Sequence, residues 1–274
     1  MRYEEHAPPA AVAAHVACLW TLTGATRRPS FDLILPDGRP ELVVHRGDRF
    51  RQRRPGGGAT LQPRQLIVGQ MTRGVAIAPG RRVESIGVRF TPAGLAPLCP
   101  FPQSRLVDRL EPVARVPAPL LHRLAAAAAE APTFTAALAS LGRALRLAYA
   151  EAPPVDPRLL AAIDHLSRAG GSLSMAALAR ATGASPRWLE RHFIASVGVG
   201  PKRLARLVRF RRVLAALDAH RTRGGVAVAL DHGFYDQAHF IAEFRAFAGD
   251  APRRFVEHRL AELTRFFVDR RIAP

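Results

Sequence analysis

No apolar run in the 274 residues approaches the roughly 18–20 needed to cross a bilayer. The opening MRYEEHAPPA has no apolar signal-peptide core. A cytoplasmic protein without a membrane partner is therefore expected. Cysteine is scarce. Cys18 and Cys99 form no CxxC pair, which argues against a zinc ribbon or a disulfide framework and leaves them as small core residues. Catalytic signatures are missing too: there is no GxSxG, no Walker loop and no GxGxxG after a strand. Asp37, Glu41, His45 and Asp48 lie close together, but a metal-binding barrel needs clustered histidines with a carboxylate at strict spacing. His45 stands alone, so turn and strand-edge roles are expected for all four. Neither enzymatic activity nor a cofactor or metal is expected.

Lysine is all but absent. Lys202 stands beside 39 arginines, and the formal net charge is +18. That excess favours polyanions, nucleic acid first and an anionic surface second. Composition of this kind also follows from a GC-rich genome. The excess is spread as well: residues 1–150 carry 20 Arg against 10 acids, and 151–274 carry 20 basic against 12 acidic residues. Charge alone locates no surface.

What is present divides the chain. Apolar residues make up 48% of it, enough for a sizeable core, and the length suits two domains. Residues 1–115 read as strands and turns. LILPDGRPELVVHRGD sets two apolar runs around a Pro-Asp-Gly turn; LIVGQ, GVAIAP and VESIGVRF are further short strands; RQRRPGGG reads as a basic, flexible loop. A small barrel or sandwich is expected. Two alanine-rich helical stretches follow, and EAPPVDP then breaks the chain. The expected architecture is α+β in two domains. Residues 1–150 form a barrel-like sensing or dimerisation domain with trailing helices, and residues 151–274 an all-α domain.

The helical half repeats itself. Ser174 caps MAALARAT, Gly183 makes a tight turn, and Ser185 caps a second helix with Pro186 at its first position. An offset of 51 residues aligns Ser185 with Asp236, Leu189 with Phe240, Phe193 with Phe244, Gly198 with Gly249 and Pro201 with Pro252. Cap, core and terminator all recur, so the unit is duplicated. Val226 to His232 reads as the short first helix of the second copy. Between the copies, Leu204, Leu207, Leu214 and Leu217 give the apolar stripe of a long connector. Lys202, Arg206 and Arg209 share its opposite face as phosphate candidates. Two units on one rod suit successive major-groove segments ~34 Å apart.

These residues, LARATGASPRWLERHF, GVGPKRLARLVRFRRVLAAL and ALDHGFYDQAHFIAEFRAFAGDAPRRF, resemble the AraC/XylS family of bacterial transcriptional regulators over roughly Asp156 to Val256. LPDGRPELVVHRGD, VGQMTRGV and GVRFTPAG resemble an N-terminal domain that accompanies some of them. The resemblance implies about seven helices with two helix-turn-helix units and sequence-specific binding of double-stranded promoter DNA. It also implies a small-molecule effector, RNA polymerase and a homodimer as partners. Bases would be read by Pro186, Arg187, Glu190 and Arg191 in the first unit, and by Gln237, Ala238, His239 and Ile241 in the second. Ser185, Asp236 and Arg253 join the phosphate candidates. Trp188 is expected to pack against the connector. Gly225 departs from the family's large aliphatic residue, and Ile241-Ala242 from its polar pair, so the second unit is expected to read bases less directly. HRLAELTRFFVDRRIAP at the end of the chain reads as one more amphipathic helix.

Overall fold

The computed structural model describes residues 1–274 other than 28, 55, 220–233, 235 and 250–274, and of 217–219 the backbone alone. The short helix expected at Val226 to His232, the Gly225 departure, Arg253, Pro252 and the final amphipathic helix lie outside the described residues. So does the side chain of Leu217.

Alternation builds the first half. In β4 (Glu41–His45), Leu42 and Val44 point to one face, while Glu41, Val43 and His45 point to the other. The same alternation runs through β2 (Val16–Ala25), β7 (Gln65–Val68) and β9 (Arg82–Phe90). With β1 (Arg2–His6) and β10 (Leu110–Pro112) they form a six-stranded antiparallel sheet ordered β1-β2-β9-β4-β7-β10. Four short strands, β3 (Asp32–Ile34), β5 (Arg51–Arg53), β6 (Ala59–Leu61) and β8 (Val75–Ala78), make a second sheet ordered β3-β8-β5-β6.

The back of the larger sheet, with Leu19, Leu42, Val44, Ile67, Ile86 and Val88, is covered by a helical hairpin, α1 (Pro119–Glu130) and α2 (Phe134–Glu151). Its front faces the smaller sheet across an inner cavity. The Pro-Asp-Gly turn joins no hairpin; it hands the chain from β3 in one sheet to β4 in the other. Nor is RQRRPGGG all loop, because Arg51–Arg53 pair with both β6 and β8.

The helical half follows its caps. Asp156 accepts from Arg158 N at the start of α3 (Pro157–Arg168). Ser174 accepts from Ala177 N at α4 (Met175–Thr182), which Gly183 ends in the left-handed region at φ 63°. Ser185 accepts from Trp188 N at α5 (Pro186–Ser196), and Asp236 from His239 N at α7 (Gln237–Ala248). Between α5 and α7 runs the connector, α6 (Pro201–Ala219), 19 residues or roughly 28 Å at ~1.5 Å per residue. Among the described residues no helix is long and apolar enough to cross a membrane.

The connector belongs to two cores. Leu204 and Ala205 pack with Leu166, Leu178, Leu189 and Phe193 of the first unit. Leu207, Phe210, Val213 and Leu214 pack with Phe240, Phe244 and Phe247 of α7. Both cores also take residues from the β-rich half. Ala93 enters the first, and Leu35 the second. Gly74 N donates to Phe247 O at 2.7 Å, and Gly198 lies against Val107 and the Gln103 carbonyl. Loop 152–156 separates α2 from α3, but the buried clusters cross that line.

Candidate nucleic-acid interface and inner cavity

Burying Leu189 and Phe193 on the inner side of α5 leaves Pro186, Arg187, Glu190 and Arg191 exposed on the outer side. The same logic turns Gln237, Ala238 and Arg245 of α7 outward, with Ile241 half-buried. Of the expected base readers, Pro186, Arg187, Glu190, Arg191, Gln237 and Ala238 are thus exposed, and His239 and Ile241 are half-buried. The two ends of the repeat also match: Gly198 and Gly249 stand at φ 92° and 76°, a region an L side chain rarely adopts.

Several candidates are already engaged within the protein. The Glu190 carboxylate folds back against Gly200, at the N-terminus of α6, where the helix dipole favours a negative charge. Arg206 pairs with the buried Glu243 at 2.6 Å and lies over the Phe247 ring. Arg209 donates to the Gly171 carbonyl at 2.9 Å, and Arg212 to the Ser167 and Arg168 carbonyls at 3.2 and 3.0 Å. These arginines satisfy carbonyls left over at and just beyond the C-terminus of α3. His239 is 40% exposed, with Nε2 4.0 Å from Glu243.

Lys202 is exposed, and so is its neighbour Arg203, a further cation off the face that Lys202, Arg206 and Arg209 share. Arg245, one turn beyond Ile241 on α7, is a further exposed cation outside the expected set. Ser185 and Asp236 are exposed at the starts of their helices, with their side chains spent on the caps. Trp188 packs, as expected, against the core that Leu204 and Ala205 of the connector share with α5. It stacks on His192 at 3.8 Å and carries the Arg158 guanidinium of α3 at 4.3 Å.

The second feature is the cavity between the sheets, about 100 Å³ in volume. Trp20, Val43, Leu66 and Ile77 give it apolar walls. Gly87 opens room for Trp20, since a Cβ there would run into the indole. At one end lie Asp37, Arg39 and Glu41, and at the other His45, Gln62 and Ser85. Arg89 is buried beside the charged end and draws three carboxylates: Glu41 at 2.6 Å, Glu5 at 3.0 Å and Asp37 at 3.4 Å. Burial pushes Glu41 up to about 7 against the pull of Arg89. Burial opposes the Arg89 charge, but Glu41 and Asp37 outweigh it and hold that guanidinium above its ordinary value.

His45 is neither at a strand edge nor in a turn, because β4 lies inside the larger sheet. Its Nδ1 and Nε2 are each 3.0 Å from a partner, Ser85 Oγ and Gln62 Oε1. Asp48 instead caps Arg82 N, at 2.9 Å. Among the described residues no group of three or more His, Cys, Asp or Glu is placed to hold a metal. Burial pushes the Cys18 and Cys99 thiols up to about 12 and 11, away from thiolate chemistry.

Burial also holds His45 down to about 4. The unfolded chain, with an ordinary value of ~6.5, then binds more protons between these limits. The stability tied to neutral His45 is full above pH ~6.5 and is lost as pH falls towards 4. The loss is on the order of 3 kcal/mol. Urea midpoints between pH 7 and 4.5 are expected to fall more steeply for the parent protein than for His45→Gln; parallel curves would remove His45 as the cause.

Residues 178–258 match the sequence model of a helix-turn-helix domain, and residues 4–112 that of a domain of unknown function (DUF6597). No curated protein matches the chain. Among solved structures it is similar to ToxT from Vibrio cholerae. ToxT bound to (E)-4-(8-methylnaphthalen-1-yl)but-3-enoic acid is 11% identical at a TM-score of 0.47, over 86% of this chain and 98% of that one. Unsaturated fatty acid-bound wild-type ToxT is 9% identical at 0.45, over 93% and 97%.

Proposed function

We propose that this chain is a DNA-binding transcription regulator of AraC type that reads promoter DNA with two helix-turn-helix units; residues 178–258 match a helix-turn-helix domain, which follows the domain of unknown function matched at residues 4–112. Residues 151–274 bind DNA as one body, and residues 1–150 sense a small molecule and modulate that binding. Arg187 and Arg191 of α5 and Gln237, Ala238 and Ile241 of α7 meet base edges in successive major-groove segments. Lys202 and Arg203 meet phosphates.

The observation that carries this reading is the connector. One rigid helix is buried in both cores, and the second helix of each copy carries its own cap, buried aromatic and left-handed terminator. Coupling is expected along the Leu33–Gly38 segment, which lines the cavity and enters the core of α6 and α7. RNA polymerase and a second copy of the chain are proposed as partners on the strength of the family alone.

The test is fluorescence anisotropy of the full chain with DNA from upstream of its own and neighbouring genes, against scrambled controls, across a salt series. One fragment is expected to be preferred, and the preference to survive ~0.15 M salt. Uniform binding to every fragment that collapses with salt would replace the reading with a general polyanion binder.

A further inference from the structure

The two ends of the inner cavity differ in kind. They are four residues apart along β4, from Glu41 to His45, or about 13 Å at ~3.3 Å per residue. At the far end His45 is held neutral, and Ser85 and Gln62 occupy both of its nitrogens. That end offers no charge to a ligand. At the near end all three carboxylates, Glu5, Asp37 and Glu41, are engaged by Arg89.

Arg39 is the exception. Its backbone N–H donates to Asp37 Oδ1 at 3.0 Å, but among the described residues no carboxylate pairs with its guanidinium. Arg211 of the connector lies close behind, buried and near Asp37. Three guanidiniums thus face three carboxylates, one of which, Glu41, burial drives towards its neutral form. Arg39 is therefore the guanidinium at the near end that stands open to an incoming anion. The wall between the ends is apolar except for the Trp20 indole N–H, which is buried and has no hydrogen-bond partner.

Resting on the reading of residues 1–150 as a sensing domain, we propose that the cavity takes a compact apolar molecule with a single anionic group, its anion on Arg39. The apolar body lies between the sheets beside Trp20 and Val43. A ring or short branched chain fits the space, on the scale of the ~150 Å³ cavity that holds a benzene ring. A cationic head group would meet carboxylates already taken and the Arg39 charge. A neutral one would leave Arg39 without a counter-charge in a partly desolvated site.

Three probes share one apolar body: cyclohexanecarboxylate, cyclohexylmethanol and cyclohexylmethylamine. Each is titrated into the full chain by calorimetry, with tryptophan fluorescence as a second signal because Trp20 lines the cavity. The acid is expected to bind at least tenfold tighter than the alcohol, and the amine not at all. Arg39→Gln is expected to bring acid and alcohol within about twofold of each other, and Arg39→Lys to keep the acid's advantage. Any one of four results would overturn the proposal: equal affinity for acid and alcohol, tighter binding of the amine, an acid preference that survives Arg39→Gln, or no binding of any probe at 10-fold molar excess over ~1 mM.

A DNA titration with and without the acid separates the two readings. Binding of the acid with no change in DNA affinity keeps this site and removes the sensing role. A change in DNA affinity driven equally by the alcohol keeps the sensing role and removes the anion.

Discussion

Arg191→Ala is expected to weaken binding to the preferred fragment by roughly 5- to 150-fold, the 1–3 kcal/mol that a bidentate arginine–guanine contact supplies. Gln237→Ala is expected to cost less. Arg191 projects from the exposed side of α5, whose inner side is fixed by the wholly buried Leu189 and Phe193. The outer side of α7 carries Gln237 among Ala238, Ile241 and Ala242, side chains suited to a thymine methyl more than to hydrogen bonding. One anisotropy titration of the three proteins on the same fragment checks the ranking. Equal losses, or the larger loss at Gln237, would move the weight of recognition to the second unit.

Phe244→Ala is expected to cost about 3–5 kcal/mol of stability. Phe244 is fully buried, edge-on to Phe210 at 5.3 Å and to Phe240 at 5.7 Å. Removing its ring opens a cavity where the connector, α7 and Leu35 meet. Denaturant midpoints at constant slope measure the loss. A cost below about 1 kcal/mol would mean that this core collapses around the gap or that α7 is loosely seated. Effects beyond α7 are expected as well, since Gly74 is tied to the Phe247 carbonyl at 2.7 Å.

Local signals carried the helical half. Ser174, Ser185 and Asp236 cap where a polar side chain precedes an apolar period, and Leu189, Phe193, Phe240 and Phe244 are buried where that period puts them. These features are written within four residues of one another. The partners of the connector arginines are not. Arg209 and Arg212 reach the end of α3 from 38 to 45 residues away, and nothing in the PKRLARLVRFRR period distinguishes a staple from a phosphate contact. Glu190 shows the same limit, because its lean towards Gly200 depends on how α5 and α6 join.

In the β-rich half the strands LIVGQ, GVAIAP and VESIGVRF were legible from composition and turns. The sheet order was not, since β9 pairs with β2 and β4, far away in the chain. The cavity was therefore hidden, and with it the position of Arg39. His45 was legible as solitary, but its burial followed only from the pairing of β4 with β7 and β9.

Leu35 bears on how such a protein can be taken apart and recombined. Loop 152–156 is where composition invites a cut, and a hybrid regulator would be spliced there. Yet Leu35 and Ala93 complete two hydrophobic cores whose other buried members all lie beyond that loop, and Leu33 and Val107 pack against the same cores. A foreign first half grafted at the splice would leave both cores short of a side chain, and the native first half expressed alone would show two apolar plugs to water. The unit of inheritance is thus the β-rich half together with the helical half, and an exchange of the first has to carry matched replacements at positions 35 and 93.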